Sequence, residues 1–360
     1  MRRSATFLLL LAIALAPGPA RADPDGGLPV RALTRDQAYR ALWYPGRRTT
    51  FAPTTSDERR VFRRLLPGLL LAARDPAPDL APLAAMAATV GFELQVWDVD
   101  GRTFWAVIEQ RGRARGAGAY VVRPGPPAPG REVVLQAPHA DFDRHTGPLV
   151  ARIFFDPPGD VVPRAFFANT IQRYRGAEGH EPPPDLVGPP PPSPLPADAD
   201  VCHNRNHLFT TASAAAASAL GSSTFVQVHG FADTSVAPSE GLPVLAVVSA
   251  GDPHGSSVVS RAVGTALQDV LGPGIRLYPD QVKRMGGTLN VVGRRLRRFP
   301  DAAFVHLELA WTLRRALRAD DVLLADAGRA LLTAAAVPDP VWPGALDTPA
   351  PPEPATARGR

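Results

Sequence analysis

The sequence predicts an α/β protein with a mixed, largely parallel sheet flanked by helices. One observation is a set of three short apolar runs, Val133 to Ala137, Phe225 to Val228 and Phe304 to Leu309. Their length and their β-branched or aromatic content suit strands covered on both faces. A second is that, from Val133 onward, such runs alternate with helix-prone stretches, the pattern of an α/β sheet. A third is what accompanies the runs. Pro138-His139 follows the first, His229-Gly230 closes the second, and His306 and Glu308 lie within the third. Open α/β sheets carry their ligands and chemistry at the carboxyl ends of the strands.

Taken in order, the chain opens with Met1-Arg2-Arg3, an apolar stretch from Phe7 to Ala16, and the small-x-small triplet Ala20-Arg21-Ala22. That stretch is too short to span a bilayer, so residues 1–22 are expected to be a cleaved signal peptide. No later run is long enough to span a membrane. The expected location is extracytoplasmic, periplasmic or secreted. Thr55 to Ala73 has helical spacing, with Pro67 expected to interrupt it. Asp79 to Val90 reads as a second short helix. Phe92 to Gln110 reads as a β-hairpin turning at Asp100-Gly101, and Tyr120-Val121-Val122 as a further strand. These segments make residues 23–130 an N-terminal α+β accessory region. Residues 131–340 form the α/β core, with a proline-rich insertion at 181–196. Residues 341–360 are expected to be a disordered tail.

Composition excludes some functions. The chain has 360 residues and a formal charge of +5. Without Arg2, Arg3 and Arg21 the charge is +2, from 36 basic residues against 34 acidic. That gives no electrostatic case for nucleic acid. Lys283 is the only lysine and Cys202 the only cysteine, so no intramolecular disulfide can form. Stability must come from the core, or from the core and a metal ion.

All eight histidines lie between His139 and His306, which places the chemistry in the C-terminal two thirds. His139 and Asp143 are spaced by four, so one helical turn brings them to one side. Asp141 points elsewhere. Strand alternation puts Phe225, Gln227 and His229 on one face, and Gly230 allows close backbone approach. His306 and Glu308 share a face opposite Val305, Leu307 and Leu309. A glutamate in so apolar a run is costly to bury unless it is paired or works as a base. Two histidines and an acid at one sheet edge suit a hydrolytic zinc site. A rival constellation, Asp200-Val201-Cys202-His203-Asn204-Arg205-Asn206-His207, could hold a metal or a Cys–His nucleophile pair. Its plainer reading is a helix start, because Leu208 to Leu220 is alanine-rich.

The order of motifs resembles a known group. Ala137-Pro138-His139 is followed by Arg164, Asn169-Thr170 and Arg173, then Val228-His229-Gly230, then His306-Leu307-Glu308-Leu309 with Leu313-Arg314. This order is similar to that of the N-formylglutamate amidohydrolase and poly-γ-glutamate hydrolase group, within the zinc carboxypeptidase-like (phosphorylase/hydrolase-like) fold. The resemblance covers about residues 131 to 318. The carboxypeptidase pattern spaces its histidine and glutamate by three. Position 142 is Phe, so Asp143 must serve instead. The resemblance implies zinc held by His139, Asp143 and His229, with Glu308 as the catalytic base. It implies Arg164, Asn169 and Arg173 as substrate-binding residues, and His203 is a further substrate-facing candidate. The expected activity is that of a secreted zinc amidohydrolase or peptidase acting on a small acyl-amino-acid or peptide substrate, cleaving an amide near a carboxylate. The alternative is a non-catalytic extracytoplasmic binding protein of the same fold, which the Phe142 departure favours.

Overall fold

Apolar and β-branched runs pair into one ten-stranded sheet in a computed structural model that describes residues 27–43, 51–140, 142–174, 198–239 and 241–338. The segments read as signal peptide, proline-rich insertion and tail, and Asp141, lie outside the described residues. The N-terminal strands are β1 (Val30–Leu33), β2 (Phe92–Val99), β3 (Arg102–Glu109) and β4 (Ala119–Val122). The later ones are β5 (Glu132–Ala137), β6 (Ala165–Ala168), β7 (Ser223–Phe231), β8 (Ala246–Ser249), β9 (Ile275–Tyr278) and β10 (Ala302–Ala310). Their order across the sheet is β1-β2-β3-β4-β6-β5-β7-β10-β8-β9. The four central strands, β6, β5, β7 and β10, are mutually parallel. The outer pairings are mixed, and β4 joins β6 antiparallel, so the N-terminal strands continue the same sheet.

Helices cover both faces, as two separate apolar clusters show. Helices α1 (Arg35–Trp43), α4 (Thr146–Phe155), α6 (Val258–Leu271), α8 (Trp311–Ala319) and α9 (Asp321–Ala335) pack on one face. Helices α2 (Ser56–Ala72), α3 (Ala81–Thr89), α5 (Leu208–Leu220) and α7 (Val291–Leu296) cover the other. Strand alternation sorts the side chains between them. Val133, Leu135, Val226, Val228, Val305 and Leu307 point to the first face, while Val134, Phe225 and Phe304 point to the second. Gln136, Gln227, His229, His306 and Glu308 therefore lie on the second face, beneath α5 and α7.

Pro67 does not interrupt its helix. It lies inside α2, whose Phe62, Leu65, Leu66, Leu69 and Leu70 are buried. Burial of that apolar stripe outweighs the hydrogen bond the proline removes. The start of α2 is also fixed, since Thr55 and Glu58 form a reciprocal capping box. The hairpin turns where expected, with both Asp100 and Gly101 at positive φ.

The connections place a crevice. After β5 the chain crosses to β6 on one side, and the next strand, β7, lies on the other side of β5. Strand order reverses there, so the carboxyl ends of β5 and β7 open a cleft between diverging connections.

Candidate metal centre

Two of the three groups that meet in this cleft come from β5 and its following turn. The chain leaves β5 through Pro138, and the Phe142 and Asp143 amides both donate to the His139 carbonyl, at 2.9 and 2.7 Å. This single turn carries Asp143 back over His139, ahead of α4. Phe142 turns away and packs edge-on against Tyr174. His229 comes from the end of β7, and the Gly230 amide beside it donates to Asp143 Oδ2 at 3.1 Å.

The resulting geometry is a small triangle. His139 Nδ1 and His229 Nδ1 are 3.2 Å apart. Asp143 Oδ2 is 3.3 Å from the first and 3.5 Å from the second. A tetrahedral ion about 2.0–2.1 Å from each of three ligands would set those ligands about 3.3 Å apart. The three atoms thus have the spacing of ligands to one small cation. All three residues are at most 5% exposed.

What lies behind the rings supports the same fit. His139 Nε2 is 3.0 Å from Asp200 Oδ1, and His229 Nε2 is 2.9 Å from Gln227 Oε1. The Asp200 carboxylate can only accept, so His139 donates from Nε2, while His229 Nε2 faces Gln227 Oε1; both rings turn Nδ1 to the shared point. Metal-binding histidines are held in this way. Asp200 is itself anchored. Its Oδ1 accepts from the Cys202 amide, and its Oδ2 accepts from Arg173 Nε at 3.0 Å and Nη2 at 2.5 Å.

Charge in the cleft is finely opposed. Burial alone would raise the Asp143 and Asp200 carboxyls. The histidines hold Asp143 far below the usual carboxylate range, and His139, His203 and Arg173 do so for Asp200. Burial and Arg173 disfavour a charged His139, but Cys202, Asp200 and Asp143 outweigh them and keep its pKa well above the ordinary value. Burial also opposes charge on His229, yet Cys202 and Asp143 push it up to about 9. The two Nδ1 atoms are 3.2 Å apart, so protons held on these rings compete with a metal ion for the same place.

Among the described residues, two further arrangements of possible donors touch His229. Cys202 joins His139 and His229, and His306 and Glu308 also join His229, with donor atoms within 4.8 Å of one another in each group. Cys202 is the weaker third ligand. Its sulfur is 3.9 Å from His229 Nε2, the nitrogen that Gln227 already holds. Burial raises the thiol, but the two histidines bring it down to about 7. His306 packs its ring against His229, with centroids 4.4 Å apart. Burial, then the two other histidines, push its pKa well down. Glu308 Oε1 is 3.9 Å from His306 Nε2. Burial first, and then Asp143, raise the Glu308 carboxyl above its ordinary value, although His229 and His139 oppose this.

The remaining sequence candidates divide. Arg164 does not reach the cleft. It precedes β6, its Nε pairs with Glu132 at 3.2 Å, and its other nitrogens bind the carbonyls of Arg123, Gly125 and Pro126. Residues 165–168 form β6, so Arg164 and Asn169 sit at opposite ends of a strand, roughly 16 Å apart. Asn169 is at the correct end but fully buried, and its amide donates to the Ala199 carbonyl. It tethers the segment before Asp200. Arg173 is at the cleft, but its fork grips Asp200. Only Nη1 is turned inward, 3.1 Å from His139 Nδ1. His203 is at the rim, its Nδ1 3.1 Å from Asp200 Oδ2. His207 is a helix cap, its Nδ1 accepting from the Phe209 amide.

Asp200 and Gln227 are the residues that sequence reasoning left without a role. Asp200 stood in the 200–207 constellation, and Gln227 was the polar interruption of an otherwise apolar strand. A carboxylate and an amide in such positions are the signals that could have found them.

No protein-family model matches the chain, and no curated protein matches it. Among solved structures it is similar to a metallo-carboxypeptidase from Burkholderia cenocepacia, with 14% identity, a TM-score of 0.33, and coverage of 60% of this chain and 59% of that one. The chain thus spans less than two thirds of that protein. It is similar to an N-formylglutamate amidohydrolase from Ralstonia eutropha, with 13% identity, a TM-score of 0.31, and coverage of 58% and 95%. It is also similar to a metallo-carboxypeptidase from Pseudomonas aeruginosa in complex with (2-guanidinoethylmercapto)succinic acid, with 12% identity, a TM-score of 0.34, and coverage of 79% and 69%. The metal reading itself stands on the triangle of His139, Asp143 and His229.

Proposed function

We propose that this chain is a zinc-dependent amidohydrolase or peptidase of the cell exterior or periplasm. Its substrate class is an amide close to a carboxylate, such as an N-acyl amino acid, a γ-glutamyl polymer or a cell-wall peptide. The observation that carries the reading is the triangle of two Nδ1 atoms and one carboxylate oxygen, 3.2 to 3.5 Å on a side, with both histidines held from behind. Two imidazoles and a carboxylate suit zinc, and three protein ligands leave a position for water. Bound zinc would lower the pKa of that water towards ~7.

The other roles belong to the chain's own groups. Glu308, with its raised pKa, is suited to take a proton from water as the carbonyl carbon is attacked. It would return that proton to the amine nitrogen as the C–N bond breaks. Asp200 and Gln227 keep the imidazoles oriented through this cycle. Arg173 contributes a fixed positive charge through Nη1, suited to an anionic group of the substrate. The extracytoplasmic address rests on the composition of residues 1–22, and among the described residues no helix is long and apolar enough to cross a membrane.

The experiment is metal analysis of the purified protein, followed by assay on N-acyl amino acids and γ-glutamyl peptides. About one zinc per chain, with hydrolysis lost on chelation and regained on zinc addition, is expected. A protein that takes up no zinc would refute the reading. Stoichiometric zinc without hydrolysis of any of these amides would instead favour a binding protein.

A further inference from the structure

Beneath the cleft, a continuous line of side-chain hydrogen bonds connects His229 to helix α5. The Phe209 carbonyl in α5 accepts from Ser213 Oγ at 2.8 Å. Ser213 Oγ accepts from Gln136 Nε2 at 2.8 Å. Gln136 Oε1 accepts from Gln227 Nε2 at 2.9 Å, and Gln227 Oε1 accepts from His229 Nε2 at 2.9 Å. Ser213, Gln136 and Gln227 are each 0% exposed, so water cannot substitute for any link.

The direction of this line is fixed at both ends. A carbonyl can only accept, so the Ser213 hydroxyl must donate to Phe209 and accept from Gln136. That sets the Gln136 amide, which sets the Gln227 amide, which presents an oxygen to His229. At the far end three groups converge on the same Gln227 Oε1. They are His229 Nε2, the Asn290 side-chain amide and the Cys202 thiol, the last at 3.5 Å. Asn290 is held the right way round because its Oδ1 accepts from the Val292 and Gly293 amides, so a reversed Gln227 would set N–H against N–H in a dry site where an unmade hydrogen bond is costly.

We propose that Ser213, Gln136 and Gln227 are positioning residues that lock His229 as its Nε2–H tautomer, leaving Nδ1 bare for a metal ion. The tautomer lock stands on the hydrogen bonds alone; its use for metal rests on the function proposed above. One imidazole nitrogen can be metallated only when the other carries the proton, and the group accepting that proton decides which. The register supports the same division of labour. Gln136 and Gln227 are paired across β5 and β7, and His229 is two residues further along, so one sheet face carries the whole line to the cleft.

Two measurements test this separately. The first is imidazole ¹⁵N NMR of the metal-free protein at alkaline pH, with His229 neutral. Wild type should show the Nε2–H form, and Gln227→Leu should show a mixture. Gln227→Glu, which keeps an acceptor oxygen, should restore the Nε2–H form. The second is zinc affinity, which should fall about 10- to 100-fold in Gln227→Leu, the usual cost of removing a ligand's supporting partner. Should Gln227→Leu not fold, Gln136→Met frees Gln227 to rotate while keeping its amide. It should move both readouts the same way by a smaller amount. A wild-type His229 carrying its proton on Nδ1 would overturn the proposal. So would folded Gln227→Leu and Gln136→Met with unchanged tautomer and zinc affinity. A wild type that binds no zinc but shows the Nε2–H form would fail the metal reading and keep the lock.

Discussion

Residues at the centre of the cleft have separable duties, and mutation should separate them. His229→Ala removes one corner of the triangle and should abolish stoichiometric zinc binding, read by metal analysis after dialysis. Glu308→Gln keeps the volume but cannot take a proton, so it should retain zinc and lose about 100- to 10,000-fold in hydrolysis. Activity near wild type in Glu308→Gln would remove Glu308 from the mechanism. Cys202→Ser should retain most activity, because the thiol lies on the Nε2 side of His229 and not at the triangle. Zinc must also displace protons. His229 has its pKa pushed up to about 9 by Cys202 and Asp143 against the effect of burial, so below that pH the metal competes with a proton on the ring. Apparent zinc affinity should rise with pH between pH 6 and pH 9, by about tenfold per unit for each proton released. A flat profile between pH 6 and pH 9 would contradict this assignment of charge.

At the scale of elements, the end of β7 is built for close approach. A Cβ on Gly230 would come within 2.4 Å of Arg314 Cζ. That guanidinium cannot swing clear, since it donates to the Arg144 and Phe231 carbonyls and thereby ties the Asp143 turn to β7. Gly230→Ala should therefore cost about 1–3 kcal/mol of stability and weaken zinc binding together, because it moves the turn that carries Asp143. Calorimetry of the metal-free protein and a zinc titration would show both. This level was partly legible in the sequence. Alternation placed His229 with Gln227 on one face of its strand and His306 with Glu308 on one face of theirs, and the spacing of four put Asp143 on the side of His139. Asp200 was not legible, because its partner His139 is 61 residues away and no periodicity joins a loop to a strand end. The line through Gln136 and Gln227 was not legible either. Strand register decides which residues on neighbouring strands stand side by side, and a lone sequence does not state it.

On the scale of the whole molecule, the sheet has a working edge and a structural edge, and Arg164 tells them apart. The motif resemblance grouped Arg164 with Asn169 and Arg173. The fold separates them because a strand carries its two ends to opposite sides of the sheet. At its own end Arg164 satisfies buried Glu132 and three carbonyls of the proline-rich loop 123–130. Arg74, 3.6 Å from Glu132, offers only a looser second partner. Arg164→Ala would leave a carboxylate 4% exposed with little compensation. Breaking a buried pair from one side costs about 3–5 kcal/mol, and Arg74 should hold the loss to the lower part of that range. The expected result is a clear fall in the unfolding midpoint with zinc affinity and ligand tautomers unchanged. Arg173→Ala should show the converse pattern. Removing the fork that grips Asp200 loosens His139, so zinc affinity should fall while global stability changes less, because Asp200 keeps the Cys202 amide, His139 and His203 as partners. If Arg164→Ala lowered zinc affinity as much as Arg173→Ala, the two edges would be coupled, and the assignment of Arg164 to the fold alone would be wrong.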